Sequence, residues 1–177
     1  MTGTTCYKSQ IYDASYLPII LVSPCCASIG SRCQPDARAR APALRKRSAL
    51  FNAIMYGPGG LPRADRELGA AVESIVNGCV YCTSVHARFY VQFAKRQDVI
   101  DRLFADGVGA ELEPHERAIA DFSAKLAQTP PQAGAPEIRA LRNAGLSDSD
   151  IADLADAVAM FAWANRLMLT LGEPKRA

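Results

Sequence analysis

The chain has 177 residues, 49% of them hydrophobic and 21% charged, which fits one soluble globular domain with a real core, or one domain plus a tail. Its net charge of +2 is uneven. Residues 1–47 set Lys8, Arg32, Arg38, Arg40, Arg45, Lys46 and Arg47 against Asp13 and Asp36, while the remainder is slightly acidic. A body this close to neutral gives no reason to expect nucleic acid as a partner, and no run approaches the roughly 18 apolar residues of a membrane span.

Residues 1–41 mix Ser, Pro, Cys and Arg without sustained periodicity and read as a poorly ordered N-terminal extension. The stretch Tyr16 to Val22 is apolar, but Asp13, Pro18 and Pro24 interrupt it and Lys8 is the one basic residue before it. That is a poor secretory leader, and the expected location is the cytoplasm. Cys6, Cys25, Cys26 and Cys33 lie in this segment and read as incidental thiols. The chain is too long and too helix-patterned for a disulfide framework.

From Pro42 the texture changes, and 42–177 reads as one helical domain. Leu44, Phe51 and Ile54 predict a helix over Ala43 to Tyr56, stopped by Gly57-Pro58-Gly59-Gly60. The Arg45-Lys46-Arg47 run reads as a solvated face of that helix. Leu61-Pro62 opens a second helix, to about Val76, that carries Glu67 and buries Leu68, Val72 and Ile75. Asn77-Gly78 is a stop, because both residues tolerate left-handed backbone. Cys79 therefore falls at the start of a third helix running to about Arg96.

A shorter helix is expected from Asp98 to Ala105, closed by Asp106-Gly107. Glu113-Pro114 starts another, with Ile119, Phe122 and Leu126 on one face, ending before Pro130-Pro131. Pro136 to Asn143 is a short helix that Gly145 terminates. Ser147 and Asp150 form an acidic capping box, followed by a long helix over Ile151 to Leu171. Its apolar residues, Leu154, Val158, Phe161, Trp163 and Leu167, spread beyond one stripe and predict burial against several neighbours, another subunit included. Trp163 reads as a core or interface residue. No strand shows period-two alternation, so the fold class is all-α.

The chemistry concentrates in ELGAAVESIVNGCVYCTSVH, residues 67–86. At about 100° per residue, Cys82 lies roughly 60° and His86 roughly 20° around the helix axis from Cys79. A helix N-terminus favours negative charge, which lowers the pKa of a thiol in its first turn. His86 sits one turn beyond Cys82, about 6 Å along the axis. An antiparallel return across Asn77-Gly78 can bring the Glu67 carboxylate back over the same site. A dithiol so placed can reduce a peroxide through a sulfenic acid that the second thiol condenses to a disulfide.

Glu67, eleven intervening residues, Cys79-x-x-Cys82, three more and His86 resemble the pattern of the AhpD-like alkylhydroperoxidases of the carboxymuconolactone decarboxylase superfamily. The resemblance runs from about Pro42 to Pro174 and looks closest to the peroxidase-related members, with GPGGL before the Glu helix and WANRLMLTLG near the end. It implies an all-helical, oligomeric fold, commonly a trimer or a multiple of one, with CxxC at the N-terminus of a core helix. It also implies that Cys82 is the peroxidatic cysteine, Cys79 the resolving one, and Glu67 and His86 the proton relay. No metal or bound cofactor is implied. An external dithiol, in the best-studied branch a lipoyl-bearing protein, re-reduces the disulfide. Tyr81 stands where that branch has a second His, and its hydroxyl can donate a hydrogen bond.

Other readings of the same residues are a zinc site, a thioredoxin-like motif and two inert buried cysteines. Structural zinc wants four ligands, and the body has no second Cys or His pair. A thioredoxin-like CxxC needs a βαβ context. His115, just after Pro114, reads as a helix-surface residue. Two function classes follow: a thiol-dependent peroxidase reducing hydrogen peroxide or organic hydroperoxides, and a decarboxylase-like enzyme or non-catalytic redox scaffold on the same fold. The cysteine pair favours the first, because decarboxylase members generally lack it.

Overall fold

The computed structural model describes residues 34–171, with side chains from 45 to 170. Among the described residues are seven α-helices: α1 (Gln34–Tyr56), α2 (Arg63–Val76), α3 (Val80–Ala94), α4 (Gln97–Asp106), α5 (Pro114–Leu126), α6 (Ala135–Asn143) and α7 (Asp148–Leu171). A short 3-10 turn at Gly107–Gly109 follows α4, and no strand occurs among the described residues. The all-α expectation holds. None of these helices is long and apolar enough to cross a membrane.

Most boundaries fall where the local chemistry put them. Pro62 takes the position before α2, Pro114 the first position of α5, and Gly145 follows α6 with a positive φ of 95°. Ser147 and Asp150 form the expected reciprocal cap. The Ser147 N–H donates to Asp150 Oδ2 at 2.9 Å, and the Asp150 N–H donates to Ser147 Oγ at 3.2 Å. One boundary is corrected. The first helix begins at Gln34, not Ala43, and carries Pro42 in its interior. Its ARARAPALRKR stretch is rich in Ala and Arg, which favour helix without any apolar stripe. The expected extension at 1–41 lies mostly outside the described residues.

Helix α2 is the hub and packs against α3, α5 and α7. Ten consecutive residues, from Asp65 to Ser74, are buried, so no face of this stretch is left to solvent. The main core gathers Leu68 and Val72 of α2, Tyr90, Val99, Leu103, Ile119, Leu141, Leu154 and Val158. Each large aliphatic side chain there contributes about 1.5–3 kcal/mol by leaving water. At Gly69 a Cβ would lie 2.6 Å from Leu154 Cδ1, so the missing side chain lets α7 lie close on α2. A second cluster joins Met55 of α1, Ala70 of α2, and Ala157 and Phe161 of α7.

Helix α7 meets several neighbours, as its broad apolar surface predicts, yet leaves Trp163, Leu167 and Leu169 exposed. Trp163 is therefore not core within this chain. It stacks under the Arg47 guanidinium instead, 5.8 Å from the ring centroid. Arg45 and Lys46 are exposed as expected, whereas Arg47 is half-buried.

Candidate functional site

The link between α2 and α3 places the cysteine pair. The Gly78 N–H donates to the Ile75 carbonyl at 3.1 Å and the Cys79 N–H to the Ser74 carbonyl at 3.0 Å, with Gly78 at φ 72°. This paired closure needs a left-handed residue at Gly78. Cys79 is at once the residue that closes α2 and the N-cap of α3, where its carbonyl accepts from the Thr83 N–H at 3.0 Å. Cys82 is the third residue of α3, within the turn whose N–H groups favour negative charge. Both cysteines are buried and form a small cluster with Met168 of α7, with Tyr81 packed against it.

The antiparallel return brings Glu67 and His86 together. His86 Nδ1 lies 2.5 Å from Glu67 Oε2, and Glu67 is fully buried. A carboxylate can only accept, so Nδ1 carries a proton, and in the neutral imidazole Nε2 is then an acceptor. Glu67 Oε1 accepts from Arg63 Nε, also at 2.5 Å. The Arg63 guanidinium in turn sits 4.1 Å from the Tyr56 ring centroid and 5.1 Å from that of Phe93. Phe161 of α7 closes the other side of His86, edge to face with centroids 3.9 Å apart. The imidazole is thus fixed in tautomer and in orientation.

Below this pair lies a second buried polar group. Glu73, on the last turns of α2, accepts at Oε1 from Asn77 Nδ2 and at Oε2 from Asn165 Nδ2 of α7. Asn165 Nδ2 also reaches Ser74 Oγ at 3.1 Å. Burial raises the Glu73 carboxyl to about 8; Arg166 works against the rise and Cys79 adds to it.

His115 is not brought to the cysteines. Its Nε2 lies 3.1 Å from Asp65 Oδ2, and its side chain is partly exposed. Arg66 anchors the GPGG loop by donating to the carbonyls of Ile54, at 3.0 Å, Gly57, at 3.2 Å, and Gly59. A pocket of about 380 Å³ opens beside Arg63, lined by Met55, Tyr56, Leu61 and Phe93 among others; neither cysteine lines it. Among the described residues no three His, Cys, Asp or Glu side chains are grouped to hold a metal ion.

The sequence reading missed Arg63, Glu73, Phe161 and Asn165. Arg63 had a signal, standing four residues before Glu67 on one helix face. Glu73 had a weaker one, as a carboxylate amid buried apolar neighbours.

Residues 41–125 match the carboxymuconolactone decarboxylase family. An uncharacterized peroxidase-related protein from Ralstonia eutropha JMP134, with an alkylhydroperoxidase AhpD core, superposes with a TM-score of 0.66 at 29% identity, over 76% of this chain and 70% of its own. A peroxidase-related protein from Silicibacter sp. TM1040 superposes with a TM-score of 0.68 at 22% identity, over 91% of each chain. A protein of unknown function from Agrobacterium tumefaciens shares the fold as well, with a TM-score of 0.66 at 22% identity over 79% of this chain and 96% of its own. No curated protein matches the sequence. Over residues 41–125 the chain is thus similar to the carboxymuconolactone decarboxylase family, and its all-helical fold is AhpD-like.

Proposed function

We propose that the protein is a thiol-dependent peroxidase that reduces hydrogen peroxide or organic hydroperoxides through a Cys79/Cys82 dithiol–disulfide cycle. The observation that carries this reading is the buried Glu67–His86 hydrogen bond, set against a helix that begins at the cysteine pair. Glu67 holds the Nδ1 proton, so His86 Nε2 is free to accept one from Cys82, one turn back along α3. The Cys82 thiolate attacks the terminal peroxide oxygen and the O–O bond breaks. The departing alkoxide takes the proton back and leaves as alcohol, with Cys82 as sulfenic acid. Cys79 then displaces water to form the disulfide, and an external dithiol, such as a lipoyl group on a partner protein, restores both thiols.

No bound metal or cofactor enters this scheme. A reducing cytoplasm suits such a cycle. A homo-oligomer, a trimer or multiple of one, suits the exposed Leu50, Trp163, Leu167 and Leu169 of α1 and α7.

The test is one equivalent of peroxide on the reduced protein, followed by peptide mapping. A Cys79–Cys82 disulfide is expected. Cys82→Ser should abolish peroxide consumption, and Cys79→Ser should leave a single thiol that overoxidises. Consumption supported by dihydrolipoamide, compared with thioredoxin, identifies the class of reductant. Two thiols left reduced after peroxide would instead favour a decarboxylase-like enzyme or a redox scaffold.

A further inference from the structure

The peroxide chemistry above leaves the pocket beside Arg63 unused. At about 380 Å³ it is large enough for a small molecule, and neither cysteine lines it. Its apolar walls are Met55, Tyr56, Leu61 and Phe93, of which Tyr56 and Phe93 are open to solvent, 37% and 46% exposed. Its charged lining is cationic. Arg63 and Arg66 both border it, whereas no carboxylate among the described residues does. Glu67 is engaged inward with His86, and Asp153 accepts from the Leu61 N–H at 2.9 Å.

Glu67 takes Nε and one terminal nitrogen of Arg63, so part of the five-donor fork is left over, and the side chain is 22% exposed. Arg66 is only 5% exposed, yet its Nε is buried without a hydrogen-bond partner. A buried donor left so is a cost that an acceptor in the pocket would offset. Helix α2 starts at the same place, and Pro62 before it provides no side-chain cap for the first-turn N–H groups. We propose that this pocket binds a small organic monocarboxylate, with its carboxylate on Arg63 at the start of α2 and its apolar body against Tyr56 and Phe93. A phosphate dianion suits the site less, because Glu67 already offsets much of the Arg63 charge. The site goes beyond the peroxidase reading and does not rest on it.

Benzoate is the probe, titrated into the reduced full chain without peroxide and followed by amide NMR. The signals of Gly59, Gly60 and Arg63 should move together and saturate. Benzamide keeps the ring without the charge, and acetate keeps the charge without the ring. Each should bind at least about tenfold more weakly than benzoate. Inorganic phosphate should displace benzoate no better than acetate does. Arg63→Met should weaken benzoate by about 10–100-fold, the effect of losing one charge-assisted hydrogen bond.

Phe93→Ala alters an exposed wall of the pocket and leaves Arg63 and Glu67 in place. It should weaken benzoate by about three- to tenfold, and it decides the matter if Arg63→Met does not fold. The proposal is overturned if benzoate gives no saturable shift, or if the shifts avoid Gly59, Gly60 and Arg63. It is equally overturned if benzamide or phosphate binds as tightly as benzoate, or if folded Arg63→Met or Phe93→Ala keeps full affinity. A chain that binds benzoate here and yet consumes no peroxide would sink the peroxidase reading alone.

Discussion

Glu67 and His86 lie nineteen residues apart on two helices and meet at 2.5 Å in the protein interior. The turn between those helices is closed by the backbone of Cys79, so one hairpin sets both the imidazole and the thiols. If the pair accepts the Cys82 proton, alkylation of Cys82 should follow a pH midpoint below the free-thiol value of about 8.5. His86→Gln should raise that midpoint and slow the peroxide step by about 10²–10⁴-fold at neutral pH. Glu67→Gln acts at one remove and should cost less. Higher pH should partly rescue both. Unchanged alkylation profiles in the two variants would leave the helix N-terminus as the sole activator.

Arg63 shares the Glu67 carboxylate with His86 and is stacked among aromatic rings. Replacing it with Met leaves one oxygen of a buried carboxylate without its charged donor, and such bonds contribute about 1.5–3 kcal/mol. Urea unfolding of Arg63→Met should show a loss of that order. Arg63→Lys should recover only part, since an ammonium lacks the planar fork and the stacking. A Met variant as stable as the parent would mean that His86 alone satisfies Glu67.

Glu73 makes stability depend on pH. Its folded pKa of about 8 lies above the 4.5 of the free side chain. The folded state therefore holds the proton more tightly than the unfolded state. The stability this provides is fully present below about 4.5 and is lost progressively as pH rises through about 8. The slope can reach about 1.4 kcal/mol per pH unit. Urea curves at pH 5, 7 and 9 should show this decline in the parent and a shallower one in Glu73→Gln. Parallel slopes would show that Glu73 ionises alike in both states.

Gly69→Ala tests the closeness of α7 to α2. The new methyl would meet Leu154 at 2.6 Å, which the buried leucine must yield to. Overpacking costs about 1–3 kcal/mol, against about 1 kcal/mol of helix propensity gained. A net loss of about 1 kcal/mol and a lower melting temperature are expected. A rise in melting temperature would show that Leu154 moves aside without cost.

Much of this was legible because the decisive features are local. Pro62, Pro114, Gly78 and Gly145 act on their own backbone, and Glu67, Cys79, Cys82 and His86 fall within one hairpin of twenty residues. The start of α1 was not legible, since Ala and Arg favour helix without leaving an apolar rhythm and Pro42 looked like a boundary. Phe161 and Asn165 were hidden for another reason. Each reaches the site from α7, far along the chain, and nothing near it in sequence marks the side chain that it meets. Of the two places expected for Trp163, the core is excluded within this chain, because two residues away Phe161 takes the buried position beside His86.

Under the proposed peroxidase cycle, the burial of the two cysteines would bear on the pace of turnover. Cys79 is 1% exposed and Cys82 6%, with Met168 packed over them. Hydrogen peroxide is scarcely larger than water and can reach such sulfurs through brief side-chain motions. On the peroxidase reading, a dithiol carried on another protein would be too large to follow while Met168 of α7 packs against the pair, and re-reduction would need a local opening that itself costs free energy. Oxidation and re-reduction would then answer to different clocks, one set by peroxide and the other by how firmly α7 is seated.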